Sequence, residues 1–142
     1  MNITFRTNKL IDKKQLFNLY DNAGWYTYTQ DVDFLAQAVS QSYYVLTAWH
    51  EDMLVGLLRV ISDGLSIAYI QDILVYDAYQ KQGIGTKLLT LAKQEFSHIR
   101  KCVVLTEDTA SIRTFYDEVG FDACDQGEFI AFINRDRSTS HS

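Results

Sequence analysis

The feature that most constrains the fold is a run of residues, 65–76, in which both alternating faces are mostly apolar. A β-strand points successive side chains to opposite faces, so a strand that is apolar on both is covered on both. One face carries Leu65, Ile67, Tyr69, Ile73 and Val75, and the other carries Ala68, Ile70, Leu74 and Tyr76. The run therefore predicts the central strand of a sheet that has helices on both sides.

The remaining periodicities predict the order β-α-α-β-β-β-α-β-α-β-β, an α/β fold with a mixed sheet. Asp12 is a good N-cap for the first helix, and Asp31 or Asp33 can cap the second. Strands are expected at residues 3–6, 43–49, 53–61, 65–76 and 102–106, and a closing hairpin is expected from residues 121–124 and 128–133. Helices are expected at residues 12–22, from Asp31 or Asp33 to about residue 40, after the glycine pair at 83 and 85, and at residues 109–118. We expect one domain, residues 1–134, followed by a polar tail, residues 135–142.

Composition excludes several classes of function. The formal net charge of −5 argues against a nucleic-acid partner, which requires a basic face. No apolar run approaches the roughly 20 residues that span a membrane, and the N-terminal residues do not resemble a secretory signal. We therefore expect a cytoplasmic protein with no membrane partner. The two cysteines and three histidines have no metal-ligand spacing, so no metal site is expected.

Two glycines, Gly83 and Gly85, stand between the expected central strand and a helix. The first turn of a helix has unpartnered N–H groups and a partial positive charge, and glycine lets the backbone approach a bulky anion. A dinucleotide fingerprint would need a third glycine where Leu88 stands, and the P-loop pattern is absent. Two interpretations stay open: a tight turn that packs the helix, or a seat for a pyrophosphate assisted by Lys81 and Lys87.

Two longer segments carry a resemblance to a known family. "DILVYDAYQKQGIGTKLL" (residues 72–89) resembles the acetyl-CoA-binding motif of the GNAT superfamily of N-acetyltransferases, and "ASIRTFYDEVGF" (residues 110–121) resembles its late helix. The motifs occur in the family's order. The resemblance implies a GNAT-like fold, with a central, mostly antiparallel sheet, splayed middle strands and flanking helices. Asp77 replaces a proline of many members, and Thr109 replaces an asparagine whose side chain contacts the coenzyme.

By this resemblance the cofactor is acetyl-CoA. The end of the central strand would pair with the pantetheine arm, and one of its N–H groups would bond the thioester oxygen as in an oxyanion hole. The glycine loop would hold the pyrophosphate. The cofactor-binding residues so implied are Ile73, Leu74, Val75, Gln80, Lys81, Gln82, Gly83, Ile84, Gly85, Thr86, Thr109 and Tyr116.

The resemblance also implies catalytic roles. Tyr116 matches the family's proton donor to the departing thiolate; alternatively, it is a core tyrosine. Asp72 is the one carboxylate near the middle of the central strand, and it would act as a base or orient a water, or else serve as a structural aspartate. By simple alternation, Tyr69 and Gln71 share the face of Ile73 and can hold a water instead. A mechanism without a base, in which the site selects the neutral amine, stays open.

The family's acceptor pocket is walled by the first two helices and their connection, where "GWYTYT" (residues 24–29) falls. Trp25, Tyr26 and Tyr28 would hold the acceptor's apolar part or attract a cation; alternatively, they close the edge of a small domain. With Tyr69 and Gln71 they are the expected substrate-binding residues.

The resulting hypothesis is an N-acetyltransferase that acts on a small primary amine such as an amino acid, polyamine or amino sugar. A peptide or protein N-acetyltransferase is one alternative, and a catalytically idle acyl-CoA-binding or regulatory domain is another. A homodimer is plausible through the closing hairpin and an exposed sheet edge.

Overall fold

The computed structural model describes residues 2–135, which form two compact units, one up to Val104 and one from Leu105. The strands are β1 (Thr4–Thr7), β2 (Tyr44–His50), β3 (Met53–Ser62), β4 (Ile67–Val75) and β5 (Lys101–Val104). The helices are α1 (Lys13–Asn22), α2 (Tyr26–Thr29), α3 (Val32–Ser40), α4 (Ile84–Glu95) and α5 (Ala110–Glu118), with 3-10 turns at Asp77–Tyr79 and Cys124–Gln126. Over residues 2–135, none of these helices combines the length and the apolar character that crossing a membrane would need.

The first unit contains one mixed five-stranded sheet in the order β1-β2-β3-β4-β5. Strands β1 to β4 pair in antiparallel fashion, and β5 runs parallel to β4. The predicted fold class, a mostly antiparallel sheet flanked by helices, is confirmed. The strand expected at residues 65–76 is β4, which lies between β3 and β5.

Helices cover both faces of this sheet. Leu57 on β3 belongs to a core cluster with residues of α1, α2 and α3, among them the fully buried Leu16 and Leu35. Gly56, the residue before Leu57 on β3, faces the other way. An ideal Cβ built on Gly56 would lie 3.3 Å from side-chain atoms of Ile84 and Leu88 in α4. The sheet therefore separates an α1–α3 face from an α4 face.

Helix caps follow the sequence closely. The Asp12 carboxylate accepts the amide of Gln15 at 3.1 Å, which confirms the cap of α1. Of the two candidates for α3, Asp31 is the cap, because its carboxylate accepts the amide of Phe34 at 3.2 Å. The short helix α2, inside the segment expected to be a connection, was not predicted.

The second unit differs from the sequence expectation. The closing hairpin of residues 121–124 and 128–133 was wrong: between Phe121 and Arg135 the structure has a 3-10 turn and no strand. Arg113 of α5 bonds Asp108 at 2.6 Å and Asp125 at 2.8 Å, so an ion pair fixes this turn. A β-rich pattern specifies a strand only where a neighbouring strand pairs with it. The single domain over residues 1–134 stays a prediction, and the expected tail lies, from residue 136, outside the described residues.

Candidate functional site

The segment that leads from β4 into α4 is held at its entry by three hydrogen bonds. The Asp77 amide donates to the Asn22 side-chain oxygen at 2.8 Å. The Gln80 side-chain amide donates to the carbonyl of Val75 at 3.1 Å, and its backbone amide donates to the carbonyl of Asp77 at 3.1 Å. Gln80 therefore ties the start of the loop back to the end of the strand.

The loop after Gln80 leaves a run of backbone amides without a partner among residues 2–135. Within the part of the chain that the structure describes, no hydrogen bond is donated by the amides of residues 81–86, and the next one along, from Lys87, donates to Gly83 at 2.9 Å. Lys81 and Gly83 adopt positive φ values of 64° and 83°. An ideal Cβ on Gly83 would meet no atom within 4 Å, so the space beside Gly83 is open.

This arrangement fits a diphosphate. Six amides at the start of a helix supply hydrogen-bond donors and the positive end of the helix dipole. Lys81 and Lys87 are both exposed beside them and can add charge. The structure thus brings together Lys81, Gln82, Gly83, Ile84, Gly85 and Thr86 of the predicted cofactor-binding set.

The end of β4 also has main-chain groups that point away from β3. The amide of Tyr76 donates to the carbonyl of Val55 on β3 at 2.8 Å. The direction of the main-chain groups alternates along an antiparallel strand. The amides of Ile73 and Val75 therefore point away from β3, whereas the amide of Leu74 points towards it.

No strand of the first unit pairs with this edge. The register between β4 and β5 ends at Ile70 and Val104, before either outward amide. The Val75 carbonyl, which shares the direction of its amide, is the one that accepts the Gln80 side chain. Because β5 ends at Val104, the C-terminal half of β4 keeps, within the first unit, an edge to which an extended ligand can add as a strand does.

A β-bulge re-aims the side chains in the middle of β4. Asp72 pairs with Arg59, but Ile70 pairs with Val60, so Gln71 is an extra residue without a partner on β3. Along β4, simple alternation of side chains therefore fails at Gln71, which is half-buried.

The bulge corrects one sequence inference. Tyr69 does not share the face of Ile73: its partner on β3 lies two residues from the partner of Asp72, so Tyr69 and Asp72 face the same side. The electrostatics agree, because burial, Asp72 and Tyr28 all raise the pKa of Tyr69. Alternation could not reveal this, since the sequence gives no sign of an inserted residue.

Asp72 lies in a buried ion pair. Its side chain is 2% exposed, and one carboxylate oxygen accepts both the Arg59 guanidinium and the Tyr20 hydroxyl, each at 2.8 Å. Burial raises the pKa of Asp72, while Arg59 and then Tyr20 act to lower it. The surroundings match the structural alternative for this aspartate more closely than those of a free base.

Of the three aromatic residues expected to form the acceptor wall (Trp25, Tyr26 and Tyr28), two already make contacts inside the protein. The buried Tyr28 hydroxyl accepts a guanidinium N–H of Arg59 at 3.0 Å, and the same guanidinium lies 5.9 Å from the centre of its ring. Trp25 is half-buried and packs against Tyr28 and Tyr20. Tyr26 is 58% exposed. A ligand can therefore reach Trp25 and Tyr26, whereas Arg59 already occupies the Tyr28 ring.

The two remaining candidates lie in the second unit, which is described by itself. Tyr116 of α5 is half-buried between Phe115 and Phe121, and burial raises its pKa to about 12. The Thr109 hydroxyl accepts the Ile112 amide at 3.2 Å and thereby caps α5.

Sequence reasoning missed Arg59 and Tyr20. Arg59 is the one charged residue in the apolar strand "MLVGLLRVIS", and such a residue needs a buried counter-ion. Asp72 in β4 was the obvious partner, so the pair could have been inferred from charge alone. Nothing in the sequence marks Tyr20 beyond its place on the apolar face of α1.

Comparison with known proteins adds an independent line of evidence. Residues 11–132 match the sequence model described as the acetyltransferase (GNAT) domain. The GNAT family acetyltransferase SP0256 of Streptococcus pneumoniae TIGR4 is 31% identical, with a TM-score of 0.81 over 95% of this chain and 100% of that chain. An aminoglycoside acetyltransferase from an uncultured soil metagenomic sample, solved with sisomicin, has a TM-score of 0.68 at 21% identity over 94% of this chain and 97% of that chain. The latter likeness shows the fold alone.

A histone acetyltransferase of Glycine max, TAP1, is 29% identical over 141 residues, which cover 88% of this chain. The curated relatives are longer, and this chain spans 37% and 58% of the length of two that it matches.

Proposed function

The chain belongs to the GNAT acetyltransferase family, and on that premise we propose that it transfers the acetyl group of acetyl-CoA to the nitrogen of a primary amine. The observation that carries the proposal is the run of amides at residues 81–86, before and at the start of α4, which donate no hydrogen bond within the described residues 2–135. A loop whose amides were already bonded could not bind a diphosphate through them, whereas this loop has free donors and open space beside Gly83.

The chain's own groups divide the binding between loop and strand. The amides of residues 81–86 would hold the diphosphate of the coenzyme, with Lys81 and Lys87 beside them. The outward amides of Ile73 and Val75 would pair with its extended arm, and one of them would bond the carbonyl oxygen on which negative charge develops. When bound, acetyl-CoA supplies the acetyl group as a thioester.

We propose that the Tyr116 hydroxyl donates a hydrogen bond to the sulfur that leaves. Its pKa of about 12 means that the hydroxyl carries its proton at every pH at which the protein is assayed. We assign no proton abstraction to Asp72, because its carboxylate is already bonded to a guanidinium and a hydroxyl. The acceptor amine would therefore enter in its neutral form or lose its proton to water.

A small amine is the proposed acceptor. Exposed Tyr26 and half-buried Trp25 form an aromatic surface that can take the apolar part of an amine or attract a cation. The relatives include an acetyltransferase of aminoglycosides and one of histones, so the panel that tests the acceptor must contain both kinds of amine.

The experiment has two stages. First, thermal unfolding is measured with and without acetyl-CoA, and a rise in Tm is expected, since a ligand that binds only the folded state stabilises it. Second, release of free thiol is followed with lysine, spermidine, glucosamine, an aminoglycoside and a peptide with a free amino terminus. Turnover with a small amine supports the proposal, and turnover with the peptide alone moves the acceptor to the protein class. Coenzyme binding without turnover of any amine would favour the idle domain.

A further inference from the structure

A buried polar cluster on the α1–α3 face of the sheet has no place in the mechanism above. We name it the Arg59 cluster, and it consists of Tyr20, Tyr28, Ser42, Arg59 and Asp72. Arg59 is its centre, because its guanidinium donates to Asp72 at 2.8 Å, to the Tyr28 hydroxyl at 3.0 Å and to the Ser42 hydroxyl at 3.3 Å. Arg59 is 5% exposed and Asp72 is 2% exposed.

Burying such a cluster in a protein core costs desolvation free energy. Removing two charges from water costs more than their attraction returns unless the geometry is good, and apolar residues of similar volume often serve stability as well or better. A planar guanidinium differs from an apolar side chain in fixing several partners in defined directions at once. The Arg59 cluster is therefore better explained by the positions that it imposes than by the stability that it adds.

The positions that it imposes belong to two separate parts of the proposed site. Asp72 follows the bulged Gln71 directly and precedes Ile73, whose amide points to the open edge of β4. Tyr28 lies in α2, next to Trp25 and Tyr26 of the acceptor wall. Arg59 reaches both, since the guanidinium that bonds Asp72 also bonds the hydroxyl of Tyr28.

We propose that Arg59 is a positioning residue for acceptor binding, which fixes the acceptor wall of α2 relative to the bulge of β4. This inference rests on the proposed function. Asp72 is, on this view, the fixed anion that aims the guanidinium, and Tyr28 is the wall residue that the guanidinium holds. A displacement of about 1 Å between the two parts is enough to lower the rate by on the order of 10²-fold, although neither partner touches the reacting atoms.

The test variant is Arg59→Lys, which keeps the positive charge opposite Asp72 but cannot bond Asp72 and Tyr28 as a planar fork. A second variant, Tyr28→Phe, keeps the ring and removes only the hydroxyl that Arg59 bonds. The matched control is Lys13→Met, which breaks an exposed ion pair with Asp33 between α1 and α3 and should change nothing.

Steady-state kinetics are measured well below the Tm with an amine that the wild-type protein acetylates. Both test variants should raise the acceptor KM by roughly tenfold or more. In Tyr28→Phe, which leaves the bond between Arg59 and Asp72 intact, the KM for acetyl-CoA should stay unchanged, because only the acceptor wall moves. A merely structural role would lower stability and the active fraction without separating the two KM values. Unchanged acceptor KM in both folded variants would overturn the inference.

Amide hydrogen exchange separates this inference from the proposed function. In Arg59→Lys, exchange should quicken both at residues 24–29 and in the middle of β4, as expected if one side chain couples them. If the wild-type protein acetylates none of the amines, the proposed acceptor chemistry fails, but joint loosening of the two segments still supports the coupling. Loosening of β4 alone, with residues 24–29 unchanged, refutes it.

Discussion

Replacing Gly83 by alanine isolates the contribution of the loop conformation. Gly83 has a φ of +83°, a region in which a residue with a Cβ pays about 1–2 kcal/mol. An added Cβ would meet no atom within 4 Å, so the backbone conformation is the whole of the cost. We expect Gly83→Ala to fold, to lose about 1–2 kcal/mol of unfolding free energy, and to melt about 3–7 °C lower.

The chain supplies a control of nearly identical geometry. Gly24, at the end of α1, has a φ of +81°, and a Cβ there would also meet nothing within 4 Å. Gly24→Ala should therefore lose a similar stability. The two positions match in backbone conformation and in free space, whereas the Gly24 amide is taken up by the carbonyl of Asp21 at 3.0 Å and lies outside the proposed coenzyme site. This makes them a matched pair.

Calorimetric titration with acetyl-CoA distinguishes the pair. In Gly83→Ala the new methyl group stands in the open space in front of residues 81–86, and the strained turn shifts the amides. We expect the Kd to rise by on the order of tenfold, a loss of about 1.4 kcal/mol. In Gly24→Ala the Kd should stay within about twofold.

Two results would refute this reasoning. Equal weakening of coenzyme binding in both variants would mean that affinity follows stability and not the loop. Wild-type stability and affinity in Gly83→Ala would mean that the turn is not left-handed at this position.

Three further predictions concern single side chains. Tyr116→Phe should lower kcat by about 10²-fold with the Kd for acetyl-CoA unchanged. In the wild type, burial raises the pKa of Tyr116 to about 12. A plot of kcat/KM against pH should therefore rise as the acceptor loses its proton and should show no fall below about pH 10. Hydrogen bonds from Ser66 and from the amides of the turn before β4 lower the pKa of Asp63. The stability that this group contributes is therefore present above its unfolded pKa and is lost as the pH falls. Asp63→Asn should reduce the loss of Tm below about pH 4, and an unchanged dependence of Tm on pH in that range would contradict the assignment. Thr109→Ala should cost about 1 kcal/mol in urea unfolding by removing the cap of α5, whereas Thr109→Ser should not.

Most of the first unit could be read from local signals. Asp12 and Asp31 cap helices where a side-chain oxygen meets a free amide, which is a contact between residues only three apart. The mostly apolar run formed β4, in which every residue from Ala68 to Val75 is buried or half-buried. The failure was at residues 121–133, where β-rich residues alternate without a pairing strand in the described chain. Strand formation depends on a distant partner, and a single sequence does not specify that partner.

In the candidate site, too, local features could be predicted from the sequence, and features that depend on distant residues could not. The glycine loop is local, so its free amides at residues 81–86 were foreseen from the spacing of Gly83 and Gly85. The face of Tyr69 was not, because the bulge at Gln71 arises from register with β3. In the Arg59 cluster, charge alone suggests the pair of Arg59 and Asp72, but the contact between Tyr20 and Asp72, 52 positions apart, follows only from the finished topology.

The acidity of Tyr116 limits what its hydroxyl can do. With a pKa of about 12, it is weaker as an acid than a free thiol, of pKa near 8.5, by about three to four orders of magnitude. Full transfer of its proton to the leaving sulfur is therefore unfavourable unless another proton replaces it at the same time. A hydrogen bond from a neutral hydroxyl to a developing thiolate needs no such replacement, and bonds to charged groups contribute about 1.5–3 kcal/mol, or roughly 10- to 10²-fold in rate. The proton that the sulfur finally keeps can come from the acceptor nitrogen, whose ammonium form has a pKa near 10.4 if it resembles lysine and becomes far more acidic once acylated. On these magnitudes, the role that we propose for Tyr116 is to stabilise charge on sulfur during bond cleavage, and its removal should slow the reaction without abolishing it.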